Sequence, residues 1–272
     1  MKNKLNLLAT VSFLLLFACN TNENNRSAAS EQQTGKHKTA LKDCNKVHWS
    51  HHKGENGPSH WKNLCEGFAA CGGKAQSPVN IIIENVSVDN TLMPPVFNYE
   101  KSETDIINNG HTVQFNTSGN QTVTLNGKEY KLLQFHYHTL SEHTVNGQHY
   151  AGEIHFVHKN SDSDFAVLGV MIEEGEENTF FDKFEDKFPL KEGEYKSDDT
   201  FDVMSLLPDN KSYYYYSGSL TTPPCSEVVN WYMFVKPVTA SEKQIKKLSE
   251  ILNDNYRPVQ KLNGRKIKLY KK

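Results

Sequence analysis

Beyond residue 40 the chain alternates apolar and polar residues over short runs that turn-forming residues separate. A period of two is typical of half-buried β-strands. Residues 122–125 form one such run, Asn126-Gly127 favours a tight hairpin turn, and residues 129–138 form the returning strand. The pattern predicts a mainly β protein.

Two segments instead have the spacing of helices. Ser241 and Gln244 form the signature of a capping box, after which Ile245, Leu248 and Leu252 fall on one helical face. The other segment carries an aromatic stripe, which we interpret as core rather than as a ligand site: Phe180, Phe181, Phe184 and Phe188. A few short helices are therefore expected beside the strands.

The N-terminus has the layout of a secretory signal, since Lys2 and Lys4 precede an apolar run over residues 5–17. That run is shorter than the roughly 20 apolar residues of a membrane-spanning helix. Residues 16–19, Leu-Phe-Ala-Cys, resemble a bacterial lipobox, in which cleavage before the cysteine leaves it acylated. We predict a signal peptide over residues 1–18 and a lipid on Cys19, with a soluble secreted protein cleaved near Ala18 as the alternative.

Residues 20–40 contain no apolar residue larger than alanine. Such a stretch buries too little surface to fold, so residues 19–40 are predicted to form a flexible tether. No comparable linker follows, which favours one domain over residues 41–272. The protein is expected to be exported, to the periplasm or the cell surface, and to be held on a membrane by its lipid.

Charge excludes one class of partner. Thirty lysines and arginines nearly balance 32 aspartates and glutamates, which leaves no basic surface of the kind that neutralises phosphates. Nucleic acid is not an expected partner. With 37% hydrophobic residues, the chain can bury a sizeable core.

Four cysteines lie beyond the predicted signal and lipidation segment: Cys44, Cys65, Cys71 and Cys225. Export makes disulfides possible, and four cysteines allow three pairings. None has the CxxC spacing of a metal or redox site. Two bridges are favoured over buried free thiols.

Two predicted strands carry the candidate chemistry. The period of two places Gln134, His136 and His138 on one face of the first strand. It places Glu153 and His155 together on the second. Three neutral imidazoles leave a tetrahedral zinc ion with one open position, which distinguishes catalytic sites from structural ones. The two remaining polar side chains are positioned to accept the outer N–H groups of the ligands.

At these residues the chain resembles the alpha-class carbonic anhydrases. Motifs typical of the family follow in order: HWS (48–50), GENGPSHW (54–61), QSPVNI (76–81), NNGH (108–111), QFHYH (134–138), SEHTVNGQHYAGEIHFVH (141–158), YSGSLTTPPCSE (216–227) and NYRP (255–258). The resemblance implies a single domain on a large, mostly antiparallel twisted sheet, with zinc at the base of a conical cleft. It implies reversible hydration of carbon dioxide to bicarbonate and a proton, with zinc-bound hydroxide as the nucleophile.

The resemblance also implies roles for individual residues. His136, His138 and His155 would bind zinc, with Gln134 and Glu153 as acceptors behind them. Further positions are implied in three groups: Thr221 and Glu142 to orient the nucleophile; His111 to shuttle protons, with Asn109 and Gln114 ordering water; and Val157, Val167, Leu220, Thr222, Val229 and Trp231 to line the carbon dioxide site.

Secreted members of the family join a cysteine before QSPVNI to the one after TTPP, which implies a Cys71–Cys225 bridge and leaves Cys44 to pair with Cys65. One position departs from the family pattern, because His51 follows HWS where the family has tyrosine, so the hydrogen-bond network near the cavity mouth is expected to differ. His37, His51 and His52 are expected at the surface. His143, His149 and His158 are expected to be structural or exposed.

Two rival functions use part of the same pattern. In a cupin, His136, His138 and Glu142 would bind iron or manganese, but the glycine spacing and the second cupin motif are absent. A carbonic-anhydrase-like binding module would keep the fold and lose zinc ligands, whereas all three histidines are present here. Without the family resemblance, Glu142 would be interpreted as a turn cap, and Thr221 and Thr222 as ordinary strand-end residues. The oligomeric state, monomer or homodimer, stays open.

Overall fold

The computed structural model describes residues 43–272, except the side chains at 184–185 and 197–199. The predicted signal peptide, tether, lipidated Cys19 and His37 lie outside the described residues. Among the helices of the described part, none is long and apolar enough to cross a membrane.

β-Strands are the main regular structure of the described chain. Its strands are β1 (Asn80–Ile81), β2 (Ser87–Val88), β3 (Val96–Asn98), β4 (Lys101–Asn108), β5 (Val113–Thr117), β6 (Thr122–Leu125), β7 (Lys128–His138), β8 (Thr144–Val145), β9 (Gly152–Ser161), β10 (Asp164–Glu174), β11 (Gly193–Asp202), β12 (Tyr213–Gly218), β13 (Val229–Phe234), β14 (Val238–Ala240) and β15 (Lys268–Tyr270). The predicted mainly β class is confirmed.

The helices of the described part are short. They are α1 (Trp61–Leu64), α2 (Thr179–Phe184), α3 (Glu242–Leu252) and five 3₁₀ turns at Cys44–Lys46, Glu66–Gly72, Ile83–Asn85, Glu185–Lys187 and Val203–Leu206. Helix α3 begins at the predicted capping box, in which the Ser241 hydroxyl accepts from the Gln244 N–H and the Gln244 side chain accepts from the Ser241 N–H. Phe180, Phe181 and Phe188 are buried, which confirms their assignment to the core.

The large sheet runs in the order β11-β4-β5-β7-β9-β10-β13-β12-β15-β2, with β3, β6 and β14 paired beside this path. Most neighbours are antiparallel, as predicted, and three pairs are parallel: β10 with β13, β10 with β14, and β15 with β2. The sheet is therefore mixed, with β7, β9 and β10 at its centre.

The predicted hairpin turn joins β6 to β7. Asn126 and Gly127 both have positive φ, 49° and 79°, which is the backbone that an Asn-Gly turn supplies most easily. The turn fixes the register of β7. On this strand Phe135 and Tyr137 are fully buried on one face in the larger core cluster. His136 and His138 consequently lie on the opposite face.

Two disulfides join segments outside the strands, and both implied pairings are confirmed. Cys44 is joined to Cys65, and Cys71 to Cys225. The second bridge spans 154 residues and holds the loop that carries Thr221 and Thr222 against the segment before β1.

Candidate active site

Three imidazoles converge on the face of β7 and β9 opposite the larger core cluster. His136 and His155 are direct cross-strand partners, and His138 lies two residues further along β7. One ring nitrogen of each histidine lies within 4.8 Å of those of the other two. The antiparallel register of two rigid strands therefore assembles the three predicted ligands.

The outer nitrogens of two rings are hydrogen-bonded as predicted. Nδ1 of His136 donates to Oε1 of Gln134 at 2.9 Å, and Nε2 of His155 donates to Oε1 of Glu153 at 2.6 Å. Each acceptor lies two residues before its histidine on the same strand face. These bonds fix the tautomers, so Nε2 of His136 and Nδ1 of His155 carry the free lone pairs.

The third ring is held by a group that sequence reasoning missed. Nδ1 of His138 donates to the backbone carbonyl of Asn255 at 2.7 Å. Every residue has a backbone carbonyl, so an acceptor of this kind leaves no pattern in the sequence. The NYRP motif marked only the segment that contains it. Nε2 of His138 is buried and has no hydrogen-bond partner among the described residues.

The donor set fits zinc. Each imidazole has one nitrogen committed to an acceptor, which leaves three nitrogens that face one another. Burial holds the pKa of His136 and of His138 below the ordinary value, and the neighbouring imidazoles lower both further. Neutral imidazoles are the form that binds metal. An unpartnered buried nitrogen such as Nε2 of His138 is costly without a ligand.

Glu153 links the ligand set to a buried network. Its carboxylate accepts from His155 and also from the backbone N–H and Nδ1 of His143, both at 2.8 Å. Burial alone would raise the pKa of Glu153, but the two histidines hold it well below its usual value. Nε2 of His143 lies 2.6 Å from the Tyr216 hydroxyl. His143 is therefore structural, one of the two possibilities expected for it.

Glu142 lies beside two of the three imidazoles, His138 and His155, and is fully buried. Its Oε1 accepts from the backbone N–H of Arg257 at 2.8 Å, and its Oε2 is 3.6 Å from Nε2 of His138. Burial alone would raise the pKa of Glu142. The nearby imidazoles and the Thr221 hydroxyl more than offset burial, so the carboxyl pKa lies below its usual value. The fold thus brings together Thr221 and Glu142, which are 79 residues apart in the sequence.

A cavity of about 140 Å³ opens above the ligands. Its lining includes several residues predicted for the site: Asn109, His111, Gln114, Gln134, His136, His138 and Thr222. The Asn109 side chain also shapes the glycine turn, because its Oδ1 accepts from the backbone N–H groups of His111 and Thr112 at 3.0 Å each. The Gln114 side chain donates to Oδ1 of Asn116 at 2.7 Å.

His111 stacks on Trp49 at the wall of this cavity, with ring centroids 3.8 Å apart and planes within 7°. Burial lowers the pKa of His111, His48 lowers it further and Glu192 partly restores it. Among the described residues, no ring contact joins His111 to His136, His138 or His155.

The predicted apolar wall forms one cluster on the ligand face of the sheet. Val167 pairs with Val157 on β9 and with Trp231 on β13. The Trp231 ring packs against His155, with centroids 4.9 Å apart. The remaining members of this group join the same cluster: Val229 and Leu220.

One expectation about surface histidines is wrong. His52 is exposed, but His51 is half-buried and lines the cavity that contains His136 and His138. Locally polar sequence predicted exposure, whereas the fold packs the ring edge-on against Trp49 and Trp61. Burial, together with His138, His111 and His52, lowers the pKa of His51 to about 3, although Glu142 opposes the shift.

Comparison with known proteins decides the family. Residues 56–271 match the family described as eukaryotic-type carbonic anhydrase. The chain belongs to this family, the alpha-class carbonic anhydrases. Carbonic anhydrases are lyases, and the chain is assigned to that enzyme class.

Individual relatives agree with the assignment. A carbonic anhydrase from Klebsiella pneumoniae is 43% identical over 225 residues, which cover 81% of this chain and 90% of that protein. One from Neisseria gonorrhoeae is 39% identical over 82% of this chain and 88% of that protein. The alpha-carbonic anhydrase of Thermovibrio ammonificans, solved with the inhibitor sulfanilamide, superposes with a TM-score of 0.78 at 42% identity, covering 82% of this chain and 99% of that one.

Proposed function

We propose that the chain hydrates carbon dioxide reversibly to bicarbonate and a proton, with zinc held by His136, His138 and His155. The observation that carries this proposal is the convergence of three imidazoles, two of them fully buried, whose outer nitrogens are all committed to acceptors. Zinc bound there would supply a Lewis acid that lowers the pKa of a coordinated water to about 7, a general value for which carbonic anhydrase is itself the standard example.

Glu142 and Thr221 orient the attacking oxygen in this proposal. An ionised Glu142 accepts a hydrogen bond from the Thr221 hydroxyl, which leaves the threonine oxygen free to accept a hydrogen bond from the nucleophile. The lowered pKa of the Glu142 carboxyl supports the ionised state. The backbone N–H of Arg257 fixes the other carboxylate oxygen and so sets its direction.

Carbon dioxide is held against the apolar wall. Val167, Val229 and Trp231 are each no more than 2% exposed and belong to one apolar cluster. An apolar surface suits an uncharged, nonpolar substrate and binds the charged product poorly. Thr222 lines the cavity with His136 and His138 and contributes polarity where bicarbonate leaves.

His111 carries the proton away from the site. An imidazole whose pKa lies near or below neutrality can accept a proton and release it to buffer. His111 shares the cavity with His136 and His138, so water can connect them, while Asn109 and Gln114 line the same space and order that water.

The proposal is tested on the purified protein by zinc analysis together with a stopped-flow assay of carbon dioxide hydration. One zinc per chain with hydration that a chelator removes is the expected result. Stable protein without zinc and without hydration would favour the carbonic-anhydrase-like binding module. Bound iron or manganese in place of zinc would favour the cupin-like chemistry.

Export and anchoring form a second part of the proposal. The charged start, the short apolar run and the lipobox-like residues 16–19 support cleavage before Cys19 and acylation of that cysteine. Two disulfides in the described part are compatible with an oxidising compartment. The expected result is a mature protein that partitions into detergent and a Cys19→Ser variant that does not. A mature N-terminus elsewhere, with no acyl group by mass spectrometry, would refute anchoring and leave the enzyme proposal intact.

A further inference from the structure

Positive charge is concentrated in residues 261–272. This segment contains five lysines, one arginine and no aspartate or glutamate. The whole chain has 30 basic and 32 acidic residues, so the part before residue 261 is net acidic. The balance of the whole chain, from which no basic surface was expected, conceals this local excess.

The segment forms one margin of the large sheet. Strand β15 pairs with β12 on one side and with β2 on the other, and β2 ends the sheet order. Lys74 lies beside the loop that leads into β15, because its backbone carbonyl accepts from the Asn263 side chain at 2.9 Å. An exposed lysine from a distant part of the sequence therefore joins this margin.

Three more basic residues adjoin Ser212. Its hydroxyl accepts from the Lys272 N–H at 2.9 Å, and its carbonyl accepts from the N–H of the residue before Lys236, also at 2.9 Å. Burial lowers the pKa of Lys211, Asp209 opposes this shift, and Lys272 adds to it. Basic side chains thus gather at both ends of β15.

Six exposed lysines of this margin form no ion pair with a carboxylate among the described residues. We call them the basic edge: Lys74, Lys236, Lys261, Lys266, Lys271 and Lys272. The other two basic residues of the segment are engaged. Lys268 pairs with Asp89 at 2.8 Å, and the Arg265 side chain donates to backbone carbonyls. The charge of the basic edge is therefore available to a partner.

Apolar side chains are exposed beside the basic edge. Val88 pairs with Leu269 of β15 and is 57% exposed, and Ile83, in the turn before β2, is 48% exposed. Lysine side chains attract anionic headgroups, and exposed apolar side chains can enter the interfacial region of a bilayer. Lysines at a sheet margin also prevent edge-to-edge pairing between molecules, which is the alternative role.

We propose that the basic edge binds the surface of an anionic lipid bilayer. The choice of lipid as the partner rests on the proposed anchoring at Cys19, which would hold the domain beside a membrane and raise its effective concentration there. Six strands separate β15 from β4 in the sheet order, and the loop after β4 carries His111 at the cavity. Docking by the basic edge therefore leaves the cavity open to solvent.

Co-sedimentation with vesicles tests the proposal on the full chain carrying Cys19→Ser, which removes the acylated cysteine. Mass spectrometry checks its N-terminus. We expect binding to phosphatidylcholine vesicles that contain phosphatidylglycerol and none to pure phosphatidylcholine vesicles. Raising the salt concentration from about 0.1 M to about 1 M should release the protein, because the screening length falls from about 10 Å to about 3 Å.

A combined variant removes four charges of the basic edge: Lys261→Gln, Lys266→Gln, Lys271→Gln and Lys272→Gln. One lysine near an anionic surface contributes about fivefold in binding, so the partition coefficient should fall by about tenfold or more. The matched control removes the same charge from exposed lysines on other segments: Lys101→Gln, Lys131→Gln, Lys191→Gln and Lys246→Gln. The control should bind like its Cys19→Ser parent. Arginine at the four positions of the basic edge should retain binding.

Equal binding to neutral vesicles, equal losses in the two glutamine variants, or no vesicle binding would each overturn the inference. Binding to soluble dextran sulfate without vesicle binding would overturn it in favour of an anionic polysaccharide. Aggregation of the basic-edge variant, with no vesicle binding by its parent, would show that the lysines protect the sheet margin instead. Anchoring is measured separately, by detergent partition of the wild type, so the two proposals can fail independently.

Discussion

The backbone carbonyl of Asn255 accepts a hydrogen bond from Nδ1 of His138 across 117 residues of sequence. The Asn255 side chain fixes that carbonyl in turn. Its Oδ1 accepts from the Thr139 N–H at 3.0 Å, and its Nδ2 donates to the carbonyls of Tyr137 at 2.9 Å and His111 at 3.1 Å. One buried asparagine therefore links the orientation of a metal ligand to the loop of the proposed proton shuttle.

Asn255→Ala is expected to weaken zinc binding about 10- to 100-fold, because the acceptor behind His138 loses its support. The zinc-free protein should also lose about 1–3 kcal/mol of unfolding free energy, since buried backbone groups lose their partners. Competition with a zinc chelator and urea unfolding measure the two effects. Asn160→Ala is the control, because that exposed side chain bonds only to the Glu129 carbonyl far from the ligands. Equal zinc affinities in Asn255→Ala and wild type would show that Asn255 only stabilises the fold.

His138→Ala is expected to lose stoichiometric zinc and nearly all hydration activity. Only two imidazoles would remain, and Glu142 would lose the ring that lies 3.6 Å from it. Zinc content by elemental analysis and hydration by stopped flow test this on the same sample, with circular dichroism to confirm folding. Full zinc together with full activity in the variant would exclude His138 from the site.

The three ligands and two of their acceptors could be predicted because β-strands have a period of two. Gln134 with His136, and Glu153 with His155, are each two residues apart, so strand geometry alone places each pair on one face. The hairpin could also be predicted from a short segment, because Asn126-Gly127 by itself favours the backbone conformation of a tight turn. Which strands become neighbours, including the parallel pairing of β10 with β13, was not predicted, because pairing between distant segments leaves no local pattern in the sequence.

The contacts that could not be predicted join distant segments through groups without a sequence signature. The carbonyl of Asn255 is one example, since every residue has a carbonyl. His51 is another, because its sequence neighbours are polar while the residues that bury it include Trp61 and, through His111, the loop after β4. Burial of a single side chain depends on the whole fold.

Removal of the long disulfide should destabilise the protein more than removal of the short one. The Cys71–Cys225 bridge spans 154 residues and the Cys44–Cys65 bridge spans 21. In the loop-entropy relation, constraint of the unfolded chain by the longer and the shorter bridge contributes about 5 and about 3 kcal/mol, respectively, to the free energy of unfolding. Paired cysteine-to-serine variants compared by urea unfolding measure both losses. A larger loss for the short bridge would contradict this ordering.

Acidification should destabilise the fold through His158. This histidine is buried, its Nε2 is hydrogen-bonded to the Tyr99 hydroxyl, and burial lowers its pKa to about 4. The unfolded chain therefore binds the extra proton between pH 6.5 and 4, and stability falls as the pH drops through that window. At about 1.4 kcal/mol for each pH unit, the total loss is about 3 kcal/mol. Urea unfolding from pH 7 to 4 measures the difference in unfolding free energy between wild type and His158→Phe. This difference should be independent of pH if His158 does not titrate.

His111→Ala should lower kcat at low buffer concentration by at least about tenfold and leave kcat/KM nearly unchanged. The physical reason is that the ring lines the cavity that contains His136 and His138 without belonging to the three-histidine group, so it acts after the chemical step. Small imidazole buffers should restore turnover in the variant by carrying protons themselves, whereas His60→Ala should need no rescue. A surface histidine at a glycine turn would leave both parameters unchanged. A joint fall in kcat and kcat/KM would instead indicate damage at the ligands, which the hydrogen bond from Asn255 to the His111 carbonyl could transmit.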